Sequence, residues 1–564
     1  MQQPNYSKKY VDIEFPMEIA DNYFMIQNRE KVDSFIFLDP DSYSRLFEQN
    51  TFYILGPKGS GKTLYAAYMC AAERNNTRSK LYKIDVSDYG KLIHMKEQHH
   101  LDFTDYLTMW KFLLLQKFLF SISADEISFF GRKQSYKEIQ DNLKEYFGYD
   151  ITKDSFNPVT VLDNREAQLR VSEYLHATNS ASADIVPIGL ATEYERGDNQ
   201  EQTRTTGQSI TREVMRYEDT WLRSIDAFRE TIENIRFKRN HFLFVDGLDV
   251  RPNKIDAQEY AECIGALVRA VYDINALLFG TLETRCNSMF KIIALTRTDI
   301  FLDSNLVNVT SSINDNSVNL DWSYSNEREF EYSNLYKMMN RLLGWNGESI
   351  IKPIDQYFSF TMPFQDNLKA SVYIQRLTRL RPRDVVVLLK LIQDECKKRK
   401  LDNPNGTVLS AYYLKSSYSD YYTAQVKSEL MFKYGQEEIK KIFELTKMIK
   451  EIKFGEEYIK ELFVKYCENN PSMQLVFYDH RAFVDLMYTL DIIGWQEERR
   501  MKKNKKNRLQ GERPPVDVHW HYREVKAIDE SGRFPWDQFE NANNPLLIIH
   551  IGARKHIVGR TRNS

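Results

Sequence analysis

Long apolar runs are missing from this 564-residue chain. Its most apolar stretches are cut by charge, at Lys111 and Lys117 and again at Glu262, Arg269 and Asp273. None reaches the roughly 20 residues that a membrane-spanning helix needs, so no membrane partner is expected. The opening residues, MQQPNYSKKYVDIEF, hold no apolar segment of the kind a secretory signal carries. Cysteine is scarce and scattered: Cys70, Cys263, Cys286, Cys396 and Cys467. That spacing offers neither a metal motif nor a disulfide framework and predicts a reducing, cytoplasmic setting. Net charge is almost absent, at −2, so any contact with nucleic acid must come from a local patch.

What is present suits a soluble chain of about three or four domains, 42% hydrophobic and 28% charged. Between about residues 50 and 323, short apolar runs alternate with helical patterns. This predicts an α/β fold, a three-layer core around a parallel sheet. The expected strands are Phe52 to Leu55, Leu81 to Val86, Phe242 to Val245, Ile292 to Leu295 and Val318 to Trp322. A long insertion, about 87–240, separates the second strand from the third. It holds a helix near Thr104 to Phe120 and a polar stretch from Thr178 to Thr211 that reads as a surface loop. Residues 324–400 read as a helical lid. Residues 401–564 open with long helical patterns, Ala424 to Ile452 among them. They close as helices followed by a two-stranded wing, which predicts a winged helix.

One motif carries chemistry by itself. Gly56-Pro57-Lys58-Gly59-Ser60-Gly61-Lys62-Thr63 follows an apolar strand and enters a helix, the context of a Walker A phosphate loop. Its glycines let backbone N–H groups close on phosphate oxygens, Lys62 reaches the β and γ phosphates, and Thr63 holds Mg²⁺. The expected cofactors are therefore ATP and Mg²⁺. HFLFVDGLDV supplies the acidic partner: Asp246 ends an apolar strand, where a carboxylate can orient the Mg²⁺ shell. Asp249 is a candidate to polarise the attacking water, or belongs to a solvated turn. Val250 stands where many hydrolases have a glutamate, so hydrolysis is expected to be slow. KIIALTRTDIF ends its strand at Thr296 and Arg297, a γ-phosphate sensor or an ordinary loop.

These motifs continue into VNLDWSYSN, a helix ending at Arg341, and RLRPRDVVVLLK. In that order they resemble AAA+ and STAND ATPases. They look most like bacterial P-loop ATPases of the FunZ-like type, relatives of the origin-recognition and NACHT groups. The resemblance covers about residues 30 to 400. It implies that Thr296 and Arg297 take the sensor 1 position and Arg383 the sensor 2 position, with Arg381 its nearest competitor. It also implies a nucleotide-contacting histidine near His550, which otherwise reads as a packing histidine. No arginine finger stands out, and Arg285 is the residue offered for one.

Two features remain. Arg499, Arg500, Lys502, Lys503, Lys505, Lys506 and Arg508 form a basic run between the expected wing strands, either a DNA-backbone contact or a solvated loop. His519 and His521 are expected to share a strand face, without the further ligands a metal site needs. No LSGGQ motif, nuclease, NAD-cleaving domain or repeat array is visible. The reading is a regulatory switch ATPase, self-associating and acting through a separate effector protein, with bacterial antiphage defence implied by the resemblance. The alternative is a DNA-binding ATPase of origin-recognition type.

Overall fold

A computed structural model describes residues 8–84, 103–127, 137, 236–249, 251–252, 255–281, 288–302, 309–324, 327–345, 352–362, 367–499, 516–524 and 533–559. The polar stretch 178–211 therefore lies outside the described residues. Two units are distinguished, Asp41–Leu55 with Tyr65–Asn319, and Met1–Pro40 with Gly56–Leu64 and Leu320–Ser564.

The unit of Asp41–Leu55 and Tyr65–Asn319 is an α/β structure on five parallel strands. These are β1 (Tyr53–Leu55), β2 (Thr77–Lys83), β3 (Asn240–Asp246), β4 (Phe290–Thr296) and β5 (Ser317–Asn319), in the order β2-β3-β4-β1-β5. Every residue of β4 is buried, and all of β3 but its first. That is the signature of strands covered on both faces and the reason their sequences are nearly continuous apolar runs, interrupted by the buried His241 in β3 and the buried Lys291 in β4. β2 begins earlier than its apolar run suggested, because Thr77–Lys83 mostly alternates buried with more exposed positions. It is an edge strand, where Arg78, Lys80 and Lys83 are tolerated. β5 stops at Asn319, short of the expected Trp322.

Helix α1 (Lys62–Ala71) follows β1, α2 (Phe103–Ser121) matches the expected insertion helix, and α3 (Ala257–Asp273) leads from β3 to β4. Trp110 Nε1 donates to Cys263 O at 3.1 Å and Lys111 pairs with Asp273 at 2.6 Å, fixing α2 along α3. The Tyr53 hydroxyl donates to Val268 O at 2.9 Å, so both helices lie over the same sheet face. The steps β2 to β3 to β4 run one way across the sheet and β1 to β2 the other. Right-handed crossovers therefore send α1 to the opposite face.

In the other unit, α4 (Asn334–Leu342), α5 (Ala370–Leu377), α6 (Pro382–Lys398), α7 (Tyr412–Leu430) and α8 (Gln436–Met448) precede the C-terminal sheet. A short hairpin of β6 (Thr361–Met362) and β7 (Leu368–Lys369) interrupts the helices. The expected helical run Ala424 to Ile452 divides at 431–435, where the Glu438 carboxylate accepts the Gly435 N–H at 2.7 Å and starts α8. Then come β8 (Lys453–Phe454), α9 (Glu456–Asn469), α10 (His480–Thr489), β9 (Ile493–Glu498), β10 (Val516–His519), α11 (Trp536–Asn541), β11 (Leu546–Ile549) and α12 (Arg554–Ile557). The expected two-stranded wing is instead part of a four-stranded antiparallel sheet, β10-β9-β11-β8. One apolar core runs through this unit from Tyr10 to Val558, so residues 324–400 and 401–564 share it.

His519 and His521 do not share a strand face. β10 ends at His519, and His521 opens a helical turn, because Trp520 folds inward against Gly494. Among the described residues, no helix is long and apolar enough to cross a membrane, and no disulfide joins Cys70, Cys263, Cys396 and Cys467.

After α3 the chain forms a π-helical turn, Ile274–Phe279. Its Asn275 amide donates to Val271 O at 2.7 Å and Ile292 O at 2.8 Å, and accepts the Ile292 N–H at 2.9 Å. The side chain thus completes β4 where β1, paired only from Ala294 onward, does not reach. Asn275→Leu should leave both backbone groups of Ile292 buried without partners. The expected loss is about 2–6 kcal/mol at about 1–3 per group, read as a lower urea midpoint at unchanged slope.

Candidate functional site

At the carboxyl ends of the parallel strands, the register sets Thr296 of β4 and Asn319 of β5 on either side of Leu55. The Thr296 hydroxyl and the Asn319 side-chain Oδ1 are both buried without a hydrogen-bond partner. Asp246 ends β3, nine-tenths buried, and its Oδ1 accepts the Gly247 N–H at 2.8 Å. Gly247 has φ +99°, and a Cβ there would meet Ile84 O at 2.4 Å, so this turn requires glycine. Asp249 is half-buried in the same turn. Arg297 folds back on its own neighbour, Nε to Asp299 Oδ1 at 2.9 Å. Ligands of open α/β sheets bind beyond such carboxyl ends.

The chain leaves β1 into the glycine loop. Gly56, Gly59 and Gly61 take φ +156°, +88° and +104°, a backbone that L side chains rarely adopt. A Cβ at Gly56 would meet Ser60 Oγ at 2.7 Å, and one at Gly59 would meet Arg383 Cβ at 3.2 Å. The Lys62 ammonium is buried and donates to Gly56 O at 2.8 Å and Pro57 O at 3.2 Å. Pro57 is exposed, and Thr63, next to Lys62 in sequence, is half-buried. Ser60 is fully buried, its carbonyl accepting from Trp322 Nε1 at 2.9 Å and its hydroxyl without a partner. The Arg383 N–H, at the start of α6, donates to Gly59 O at 3.2 Å, and Arg381 Nη1 donates to Lys58 O at 3.3 Å. The Lys58 ammonium reaches Ser428 Oγ on α7. Sequence reasoning found Arg383 and Arg381 but not Ser428, because nothing in a helix pattern marks one serine as a loop contact.

Arg381 belongs to a buried charge cluster that also escaped the sequence reading. Arg379 binds Asp384 at 3.2 Å and Glu429 at 2.9 Å, while Arg381 binds Glu429 and lies 3.6 Å from Asp491. Burial pushes the Asp491 carboxyl up to about 7, against the lowering effect of Arg381 and Arg379. The run RLRPRD was a visible signal, but Glu429 and Asp491 lie far along the chain. His550 is fully buried near this cluster, stacked on Tyr422 with centroids 5.0 Å apart and edge-on to Trp520 at 4.8 Å. Its Nδ1 accepts the Gly552 N–H at 3.1 Å, and the Tyr422 hydroxyl donates to Asp491 O at 2.6 Å.

In the C-terminal region α10 is the second helix of the pair α9–α10, the position that enters the major groove in helix-turn-helix proteins. Its polar side is taken. Arg481 binds Glu456 at 2.8 Å and Glu540 at 2.7 Å, His480 faces Glu456 at 3.0 Å, and Trp536 Nε1 donates to Asp485 at 2.9 Å. Arg499 pairs with Asp517 at 2.6 Å. Arg500, Lys502, Lys503, Lys505, Lys506 and Arg508 lie outside the described residues, as do Val250 and Arg285. No protein-family model matches the chain, and no curated protein matches it in sequence.

The cluster makes stability depend on pH. Because the folded value of Asp491 exceeds its ordinary value, its contribution is full below about 4 and is lost as pH rises through about 7. Arg379, Arg381, Glu429, Tyr422 and His521 face it. Wild type should lose stability across that window by at most about 1.4 kcal/mol per pH unit for this one proton. Asp491→Asn should flatten that part of the slope in urea titrations at pH 5, 6, 7 and 8.

Proposed function

We propose that this chain binds ATP with Mg²⁺ in its glycine loop and serves as a regulatory switch ATPase. One observation carries the reading: GPKGSGKT leaves a parallel strand with three glycines at positive φ and Lys62 buried against the loop's own carbonyls. That is a backbone form in which successive N–H groups make an anion cradle. The unpartnered Ser60 hydroxyl fits the same purpose. Lys62 would exchange the Gly56 and Pro57 carbonyls for the β and γ phosphates. Thr63 and Asp246 would hold Mg²⁺. Mg²⁺ bound with a nucleotide is commonly taken by one or two carboxylates plus substrate phosphates. Bound Mg²⁺ would neutralise charge developing on the phosphate oxygens.

The remaining roles sort by what each residue already does. Thr296, buried and unpartnered, suits a γ-phosphate sensor better than Arg297, which is paired with Asp299. Arg383 suits the lid arginine better than Arg381, which the buried carboxylates engage. Asp249 would polarise water. His550, sealed among aromatic rings, would act through Tyr422 rather than by reaching nucleotide directly. Kinship with the AAA+ and STAND ATPases, FunZ-like proteins included, rests on motif order together with the five-stranded parallel sheet. Signalling through self-association and a separate effector protein, in antiphage defence, follows from that kinship. The DNA-binding alternative is the weaker reading, since α10 has its two basic residues paired to carboxylates.

Lys62→Ala should abolish ATP binding by calorimetry with the fold intact. Asp246→Asn should retain binding and lose Mg²⁺-dependent phosphate release. Unchanged affinity and turnover in both variants would sink the nucleotide reading. For the alternative, replacing Lys502, Lys503, Lys505 and Lys506 with Ser should leave the salt dependence of any DNA binding unaltered. A slope reduced by up to about 0.9 per lost phosphate contact would instead restore the DNA reading.

A further inference from the structure

Lys58 occupies a variable position of the phosphate-loop pattern, yet it is held at both ends. Its carbonyl accepts from Arg381 Nη1 at 3.3 Å, and its ammonium donates to Ser428 Oγ on α7. Arg381 in turn binds Glu429, the residue after Ser428, and lies 3.6 Å from Asp491 in the turn between α10 and β9. Polar contacts, part-buried at Lys58 and buried from Arg381 onward, thus run from the middle of the glycine loop, through α7, to the start of the C-terminal sheet. Gripping phosphate requires none of them.

We infer that α7 and the C-terminal sheet regulate nucleotide affinity by fixing Lys58, so that the loop is preformed for phosphate only while α7 is seated. This rests on the nucleotide reading above. A loop with glycines at 56, 59 and 61 loses much conformational freedom on ordering. Pinning its middle residue beforehand lowers that cost and raises affinity. Linkage makes the effect reciprocal: ATP in the loop must steady α7 by the same factor that a seated α7 tightens ATP. Lys58 and Ser428 are positioning residues in this scheme, touching the loop or its support rather than the phosphates.

The test uses the full chain, ATP calorimetry and amide hydrogen exchange on wild type, Lys58→Met, Ser428→Ala and the double variant. Both single changes fall on half-buried positions and leave the glycines and Lys62 in place. Each should speed exchange across 56–61 without nucleotide and weaken ATP binding by about 5-fold or more. ATP should slow exchange along α7 in wild type and not in the variants, a readout that simple loss of packing does not move. The double variant should be no worse than the weaker single one. Unchanged exchange and affinity in the single variants, or fully additive losses, overturn the inference while ATP binding by wild type and its loss in Lys62→Ala keep the nucleotide reading. A wild type that binds no ATP overturns that reading and the regulatory claim together.

Discussion

The unit that carries the glycine loop depends on a buried cluster of unequal charge. Two arginines, Arg379 and Arg381, face three carboxylates, Asp384, Glu429 and Asp491, all nine-tenths buried or more. Fully ionised, the set would hold one surplus negative charge in a low-dielectric interior, and Asp491 answers by keeping its proton to about pH 7. The arginines converge because Leu380 between them takes φ +55°, uncommon for a branched side chain and a local strain that the ion pairs hold in place. That turn aims the first turn of α6. Pro382 then fixes the helix start, and the next residue, Arg383, puts its N–H on Gly59 O. Removing one member of such a cluster leaves an unanswered buried charge, typically about 3–5 kcal/mol, so α6, α7 and the loop stand together.

The loop's glycines serve different needs. Gly59 is small because α6 begins against it, and Gly56 because Ser60 and the Leu320 carbonyl close over it. Gly61 has open space around it and needs only its backbone angle. An alanine would therefore strain the backbone at all three positions, and at 56 and 59 it would add close contacts as well. Lys62, meanwhile, satisfies its ammonium on carbonyls of the loop it belongs to. Any anion it meets must be a better partner than two neutral carbonyls, a standard that phosphate oxygens meet through charge-assisted bonds.

How much of this was legible depended on range. β3 and β4 declared themselves, since strands buried on both faces are mostly apolar: Phe242 to Val245 and Ile292 to Leu295 stand unbroken beside the buried His241 and Lys291. The form of the glycine loop was also legible, because its three positive-φ glycines lie within six residues. β2 was misjudged in extent because an edge strand carries alternation and charge, and β5 because Leu320 to Trp322 continues an apolar pattern after leaving the sheet. The ends of the strands gave Asp246 and Thr296; Asn319 looked like one more polar residue until register set it beside Leu55. The charge cluster was illegible in principle: RLRPRD shows three arginines, and only folding selects Glu429 and Asp491 from 79 acidic residues as their partners. His519 and His521 failed because period-two reasoning assumes the strand continues.

The shared core limits how any signal from the loop could travel through this unit, including the nucleotide signal proposed above. If α5 and α6 swung away as an independent lid, they would separate from α7 and the C-terminal helices along one apolar core that includes Leu388, Leu389, Leu414 and Val426. Each such side chain exposed costs about 1.5–3 kcal/mol. A single charge-assisted contact to phosphate supplies roughly 1.5–3 kcal/mol, which cannot open a core of that size. It can, however, shift a marginal arrangement of buried charges, where Asp491 already sits near its titration point and Leu380 is strained. α7 is tied at its far face as well, through Ser419 Oγ to the His556 N–H at 2.9 Å and Asp420 to the His556 ring at 2.7 Å. A small displacement of α7 is therefore felt at α12, and the scale of the forces favours a change of partners within the cluster over a swinging lid.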